Sequence, residues 1–262
     1  MNHKKDLLLD GIIKRYIQSN EPIGSESLKV SMSIKISSAT IRNYFKTLSD
    51  EGILTQTHIS SGRIPTNKAL KDYWRSHIPY KENDIDIDIQ KIQQACQEMG
   101  VFCLIREKKS QTLREIINHE NRFLILVFED NEICVPFNHS IERFLRELLG
   151  LEFEDIKKIC SQVCAKALLE KLNLASDVIL HTFGIEFLSF ILKIRGFDRL
   201  FFEVINGYIF DRLSRGVYFE NTIPEGSIAI VQNINLNQKQ AQMFCMGELS
   251  KNYTSFYEKI VA

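Results

Sequence analysis

Ser37, Ser38, Thr40, Arg42, Asn43, Lys46 and Thr47 crowd into one short stretch, and His58, Ser60 and Arg63 follow soon after. These are hydroxyls, amides and cations, with no nucleophile set beside a base. What such a set can do is hydrogen-bond to a polyanion. Ser37, Ser38 and Thr40 suit phosphate oxygens, Arg42 can pair bidentately with guanine, and Asn43 can do the same with adenine. Lys46 suits phosphate as a point charge, and Thr47 flanks the same face. Arg63, read as the tip of a wing beside His58 and Ser60, would reach the DNA backbone or an adjacent minor groove. A base-reading Arg42 or Asn43 would each contribute about 1–3 kcal/mol of discrimination.

Groups of this kind act together only if an element presents them on one side. Ile41, Phe45 and Leu48 follow the i, i+4, i+7 rule and must face a core, which leaves Ala39, Asn43 and Lys46 opposite. Ser37 or Ser38 is the expected N-cap, and Gly52 stands where a left-handed stop is wanted. Residues 53–57 then read as a strand, 60–62 as its turn and 63–65 as the return. Thr66 is expected to cap a further helix with Leu70, Tyr73, Trp74 and His77 or Ile78 on one face. Trp74 is the only tryptophan, and we expect it to pack where this module meets the next segment. Upstream, Leu8, Ile12, Ile13, Tyr16 and Ile17 place a helix over 4–19, and Ser25 is a candidate cap for a short helix carrying Leu28 and Met32. Helix, turn, helix and Gly-tipped hairpin in this order predict a winged helix-turn-helix. A lone polar helix is more often a solvated surface, but here several independent signals agree over about sixty residues. Winged helices also serve as protein-interaction modules, so shape alone does not dictate DNA binding.

The 262 residues, 44% hydrophobic and 25% charged, suit two domains, set here at 1–80 and 81–262. Zero net charge hides an asymmetry: residues 1–80 carry 12 Lys and Arg against 7 Asp and Glu, and the remainder carries 21 against 26. A basic module on an acidic body suits a polyanionic partner at one end. The acidic run 79–88 reads as a linker. Beyond it we expect a helix at 89–99, a strand at 101–106, a hairpin of 123–128 with 133–137, helical periodicity over 141–172 and 185–194, strands at 227–232 and 242–247, and a closing helix at 250–261. The fold class is therefore α+β, a winged helix-turn-helix followed by a mixed α+β domain. Cys96, Cys103, Cys134, Cys160, Cys164 and Cys245 have apolar neighbours and no zinc spacing, and read as buried reduced thiols. No signal peptide or membrane span is expected, so the cytoplasm is the expected compartment.

Rival functions leave weaker traces. A metabolite-responsive regulator needs a pocket, for which 123–137 is the candidate region, but Phe and Ile at strand spacing are usually core. Cys160 and Cys164, taken as sharing a helix face, could sense oxidants or hold a metal only with further ligands. His119, His139 and His181 are dispersed. A winged-helix enzyme of the biotin ligase type needs a Gly-rich phosphate loop with a lysine, and the twelve glycines are scattered singly. No enzyme activity, cofactor, metal or small-molecule substrate is expected.

Three segments carry a resemblance to a known family: Glu21-Pro22-Ile23-Gly24-Ser25, Ser37-Ser38-Ala39-Thr40-Ile41-Arg42-Asn43 and above all Ser61-Gly62-Arg63-Ile64-Pro65-Thr66. They resemble the heat-inducible transcription repressors of the HrcA family, with departures at Tyr44, Thr57 and Ile59, where an aspartate, a proline and a threonine are usual. The resemblance implies a homodimeric repressor that binds double-stranded DNA at an inverted-repeat operator upstream of chaperone operons. It also implies support by the GroE chaperonin and a GAF-like second domain with an inserted helical dimerisation region. The phenylalanines Phe187, Phe190, Phe197, Phe201 and Phe202 are then expected to form a surface that becomes sticky when the second domain opens.

Overall fold

The structure, a computed structural model, describes residues 3–32, 36–56, 58, 61–78, 85–108, 111–174, 178–236 and 239–261. These residues form two compact units, Met1–Arg106 together with Leu180–Ala262, and Glu107–Ile179. The boundary expected at 80/81 falls outside the described residues.

The first unit begins with α1 (His3–Ser19), α2 (Ser25–Met32), α3 (Ser38–Asp50), the short strands β1 (Leu54–Thr55) and β2 (Ile64–Pro65), and α4 (Asn67–His77). This is the order of a helix-turn-helix with a wing. Leu8, Ile12, Ile23, Leu28, Ile41, Phe45, Leu48 and Leu54 make its core, so the helical spacing read from the sequence is the spacing that packs. Helix α2 starts at Ser25, whereas the carbonyl that receives its first helical bond, from Leu28 N, is that of Gly24. The cap is thus one residue earlier than expected.

Next come β3 (Ile85–Ile87), α5 (Ile89–Met99) and β4 (Phe102–Lys108). The expected linker 79–88 is corrected here: 79–84 lie outside the described residues, but Ile85–Ile87 is a strand parallel to residues 234–236. Its two isoleucines are buried and Asp86 between them is exposed, so the acidic run is one face of a two-residue alternation. Asp88 caps α5 by accepting from Gln90 N at 2.9 Å, and Gly100 ends it at φ +64°.

The second unit holds β5 (Glu115–His119), β6 (Phe123–Val127), β7 (Glu132–Pro136), α6 (His139–Arg146), α7 (Phe153–Gln162) and α8 (Lys166–Leu174). The expected hairpin is present as β6 and β7, with β5 added as a third antiparallel strand. Leu124, Leu126, Phe128, Ile133 and Val135 pack on Phe153, Ile156, Leu168 and Leu172, so the region proposed for a ligand pocket is occupied by its own core. Helical periodicity over 141–172 is broken into three helices, with left-handed backbone at Gly150 (φ +80°) and Cys164 (φ +56°).

The first unit resumes with β8 (Val178–Phe183), α9 (Ile185–Leu188), a 3-10 turn over Ser189–Lys193, α10 (Asp198–Ile205), α11 (Ile209–Arg212), β9 (Gly216–Tyr218), β10 (Ser227–Leu236), β11 (Lys239–Glu248) and α12 (Tyr253–Ile260). The sheet order is β3-β10-β11-β4-β8, with β9 also paired to β10. Alternation along β10 splits two cores: Ile228, Ile230 and Ile234 face α5 and α12, whereas Ala229 and Val231 face Leu188, Ile191, Leu200 and Val204. Phe197 and Phe201 are half-buried against that second core, while Phe202 is 62% exposed; the Phe190 side chain lies outside the described residues.

Helices α1 and α4 tie the winged module to the sheet. Ile13, Ile17, Ala69, Leu70 and Trp74 belong to the same core as Ile230, Met243, Tyr253 and Phe256. Trp74, expected at such a junction, is 1% exposed, donates from Nε1 to the Leu249 carbonyl at 2.8 Å, and meets the Tyr253 ring edge-on at 5.3 Å. Buried Lys71 is ion-paired with Glu220.

The cysteines divide. Cys96, Cys103, Cys160 and Cys245 are buried, but Cys134 and Cys164 are exposed, which corrects the reading of six buried thiols. Burial pushes the Cys103 and Cys245 thiols well up, and the neighbouring Cys96 thiol adds to both. Cys164 lies past the end of α7, so it does not share a helix face with Cys160. Among the described residues no cluster of His, Cys, Asp or Glu could hold a metal. Nor is any helix among them long and apolar enough to cross a membrane.

Candidate nucleic-acid interface

Helix α3 is fixed at both ends. Ser37, extended at φ −73° and ψ 150°, accepts from Thr40 N at 3.1 Å, and its hydroxyl lies 2.9 Å from that of Thr40. Beyond the last turn, Gly52 adopts φ +69° and its N–H donates to the Ser49 carbonyl at 3.0 Å. With Ile41, Phe45 and Leu48 buried, Ala39, Thr40, Arg42, Asn43, Lys46 and Thr47 are exposed, and Ser38 is half-buried. The face deduced from spacing is the face the fold leaves open. The Thr47 hydroxyl is turned back onto the helix, donating to the Asn43 carbonyl at 3.2 Å.

Arg42 is exposed yet not free. Its Nε donates to Ser25 Oγ at 3.3 Å, and its guanidinium lies 3.9 Å from the Glu26 carboxylate. Both side chains are at least two-thirds exposed, so the pair contributes less than about 1 kcal/mol and yields to a stronger anion. The guanidinium leans toward the start of α2.

The wing pairs Leu54 with Pro65 and Thr55 with Ile64. Ser61 closes its end, accepting from His58 N at 3.0 Å and donating to the His58 carbonyl at 2.7 Å. His58 is exposed there, and Ser60 lies outside the described residues. Arg63 sits just short of the tip, between the turn closed by His58 and Ser61 and the first pair of β2, and its backbone exchanges two 2.9 Å hydrogen bonds with Ile23. That long-range bridge also explains Gly62, because a Cβ there would come within 2.6 Å of the Ile23 carbonyl carbon and oxygen. Only glycine allows the two chains to approach so closely.

Sequence reasoning missed Ile23, Ser25 and Gln56 as parts of this site. The signal lay in the two motifs 21–25 and 61–66, but nothing in their spacing reports that they pack on each other. Gln56 Nε2 donates to the Ser61 carbonyl at 2.8 Å and steadies the wing from within. Together Ser25, Arg42, Phe45, Gln56, Gly62 and Arg63 line a cavity of about 410 Å³. A second cavity, of about 420 Å³, is lined by Lys14, Tyr73, His77, Asn252, Ser255 and Glu258, behind the module. Among the described residues no arrangement here has the geometry of nucleophile, base and orienting group; the exposed donors suit hydrogen bonding to an acceptor-rich surface.

The family model described as the HrcA C-terminal domain matches residues 74–262. The heat-inducible transcription repressor HrcA of Helicobacter pylori strain ATCC 700392 / 26695 is 33% identical over 261 residues, covering 98% of this chain and 94% of the relative. That of Chlamydia trachomatis serovar A is 36% identical over 119 residues, 44% of this chain and 30% of the relative. A solved structure titled as a hypothetical protein at 2.2 Å resolution shares the fold, with a TM-score of 0.56 at 19% identity over 98% of this chain and 94% of that one. A winged module joined to a GAF-like mixed sheet, matched nearly end to end by a repressor at this identity, leaves one assignment: the chain belongs to the HrcA family of heat-inducible transcription repressors.

Proposed function

We propose that the chain acts as a homodimer that seats two α3 helices in successive major grooves of an inverted-repeat operator at chaperone promoters, where the bound dimer blocks transcription. As a member of the HrcA family it is a negative regulator of heat-shock transcription. The observation that carries the groove reading is the open face of α3, where Thr40, Asn43 and Lys46 are exposed on a helix whose other side is packed. Asn43 is the base reader in this proposal, Ser37, Ser38, Thr40, Lys46 and Thr47 line the approach to phosphate, and His58 and Ser60 belong to the wing. The partner is double-stranded DNA in the cytoplasm, the work is binding, and no cofactor takes part. The GroE chaperonin is proposed to restore the DNA-competent dimer, and Phe202 and Tyr208, both more than 60% exposed, give it apolar side chains to hold.

The test is a fluorescence titration against the inverted repeat upstream of the host's chaperonin operon and against a scrambled duplex, at two salt concentrations, with and without chaperonin. Preference for the repeat by about a thousandfold, improved by chaperonin, is the expected result. Equal, steeply salt-dependent binding to both duplexes would reject the operator reading.

A further inference from the structure

Arg63 and Arg42 come from the wing and from α3, 21 positions apart in the sequence, yet both line one cavity of about 410 Å³. The cavity wall has an imbalance of charge. Arg63 Nε is closed off from solvent with no hydrogen-bond partner, and no carboxylate pairs with this guanidinium among the described residues. A buried N–H on a cation is costly to leave unmade, so this guanidinium keeps a donor for an acceptor. Arg42 has only the Ser25 hydroxyl at 3.3 Å and the Glu26 carboxylate at 3.9 Å, and the latter is a weak, exposed stand-in for an anion. Ser25 accepts from Arg42 and so keeps its own O–H to donate. Gly62, held against Ile23, keeps this wall free of a Cβ.

We propose that this cavity is a phosphodiester clamp, in which one backbone phosphate of bound DNA is held between Arg42 and Arg63 with the Ser25 hydroxyl as a third donor. The assignment rests on the DNA-binding reading and divides its labour: Arg42 and Arg63 supply sequence-independent affinity, and base choice is left to Asn43. Two guanidiniums converging on one tetrahedral anion form charge-assisted bonds whose geometry a lysine cannot reproduce. Glu26 is a built-in competitor, because it occupies Arg42 until DNA displaces it.

The experiment is titration of the full chain with operator and scrambled duplexes over a range of salt, for wild type, Arg63→Gln, Arg42→Gln, their double variant and Glu26→Gln. Arg63→Gln and Arg42→Gln are expected to weaken both duplexes by the same factor, about tenfold, each with a shallower salt slope, and the double variant to lower that slope by about one, as loss of one neutralised phosphate requires. Glu26→Gln is expected to strengthen both duplexes about two- to threefold, a gain that misfolding cannot imitate. Loss of operator preference in Arg42→Gln with an unchanged slope would overturn the clamp and return Arg42 to base reading. So would unaltered binding in both Arg63→Gln and Glu26→Gln. A thermal-shift arm with inorganic phosphate alone separates sources: stabilisation at low millimolar phosphate that Arg63→Gln removes, without change in duplex binding, would overturn the clamp in favour of a small-anion site. Wild-type protein that binds neither duplex would instead end the DNA-binding reading itself.

Discussion

Helices α3 and α4 start alike, each from a hydroxyl cap: Ser37 accepts from Thr40 N, and Thr66 accepts from Ala69 N at 3.4 Å. Their remaining faces go to different uses. Around α3 the polar side is left exposed, with Arg42 in a loose ion pair and Asn43 and Lys46 standing outward. Around α4, Ala69, Leu70, Lys71 and Trp74 are all buried, and the indole is hydrogen-bonded to a carbonyl 175 positions further along the chain. One helix is kept available and its neighbour is committed. A module that must grip a ligand needs both, since a reading face is only as well aimed as the surface behind it is fixed.

The largest test of that contrast is Trp74→Ala. It should cost the first unit about 3–5 kcal/mol in denaturant unfolding, from lost ring burial and an orphaned Leu249 carbonyl. A cost no greater than that of an α3 surface variant would erase the distinction between the helices. Gly62→Ala comes next: a methyl group driven into the Ile23 backbone should lower stability by about 1–3 kcal/mol and weaken all duplex binding by displacing the wing. Unchanged binding would show that the wing can shift freely.

Asn43→Ala sharpens the other side. Stability should stay within about 0.5 kcal/mol of wild type, while operator preference falls by about 1–3 kcal/mol. A stability loss as large as the affinity loss would mean that α3 is not a free face. The smallest effect belongs to the second unit, where the Thr112 hydroxyl and backbone N–H and Arg114 Nε all donate to the Glu129 carboxylate, at 2.5, 2.5 and 3.1 Å. With the Thr112 side-chain bond the largest cause, its pKa is lowered from 4.5 to about 2. A depressed carboxylate stabilises the fold above its unfolded pKa, and that stability is lost as pH falls from about 4.5 toward 2. Glu129→Gln should therefore lower the neutral end of a melting-temperature profile slightly, flatten its acid limb in that window, and leave the acid end little changed.

Much of the module was legible because its signals are local. Ile41, Phe45 and Leu48 recur at helical spacing, Ser37 and Thr66 cap, and Gly52 stops, all within a few residues of what they control. Legibility failed wherever a partner is far away. Ile85 and Ile87 look like part of an acidic linker until residues 234–236 are placed beside them. Strands β5, β8 and β9 take their character from neighbours in the sheet. The seat of Arg63 follows from the Ile23 bridge and the lean of Arg42 from Ser25 and Glu26, which no periodicity encodes. The exposed polar residues of α3 were thus readable as a set, but which groups share a cavity was a tertiary fact.

Trp74 has a further use. As the sole indole, sealed between the module and the sheet, it is an optical gauge of whether the two are engaged. Its emission should sit toward the blue while the Leu249 contact holds and move red when water reaches the ring, so docking can be followed without adding any dye. Warming the protein through the heat-shock range while watching that colour would time the undocking against the loss of DNA, and show which of the two leads.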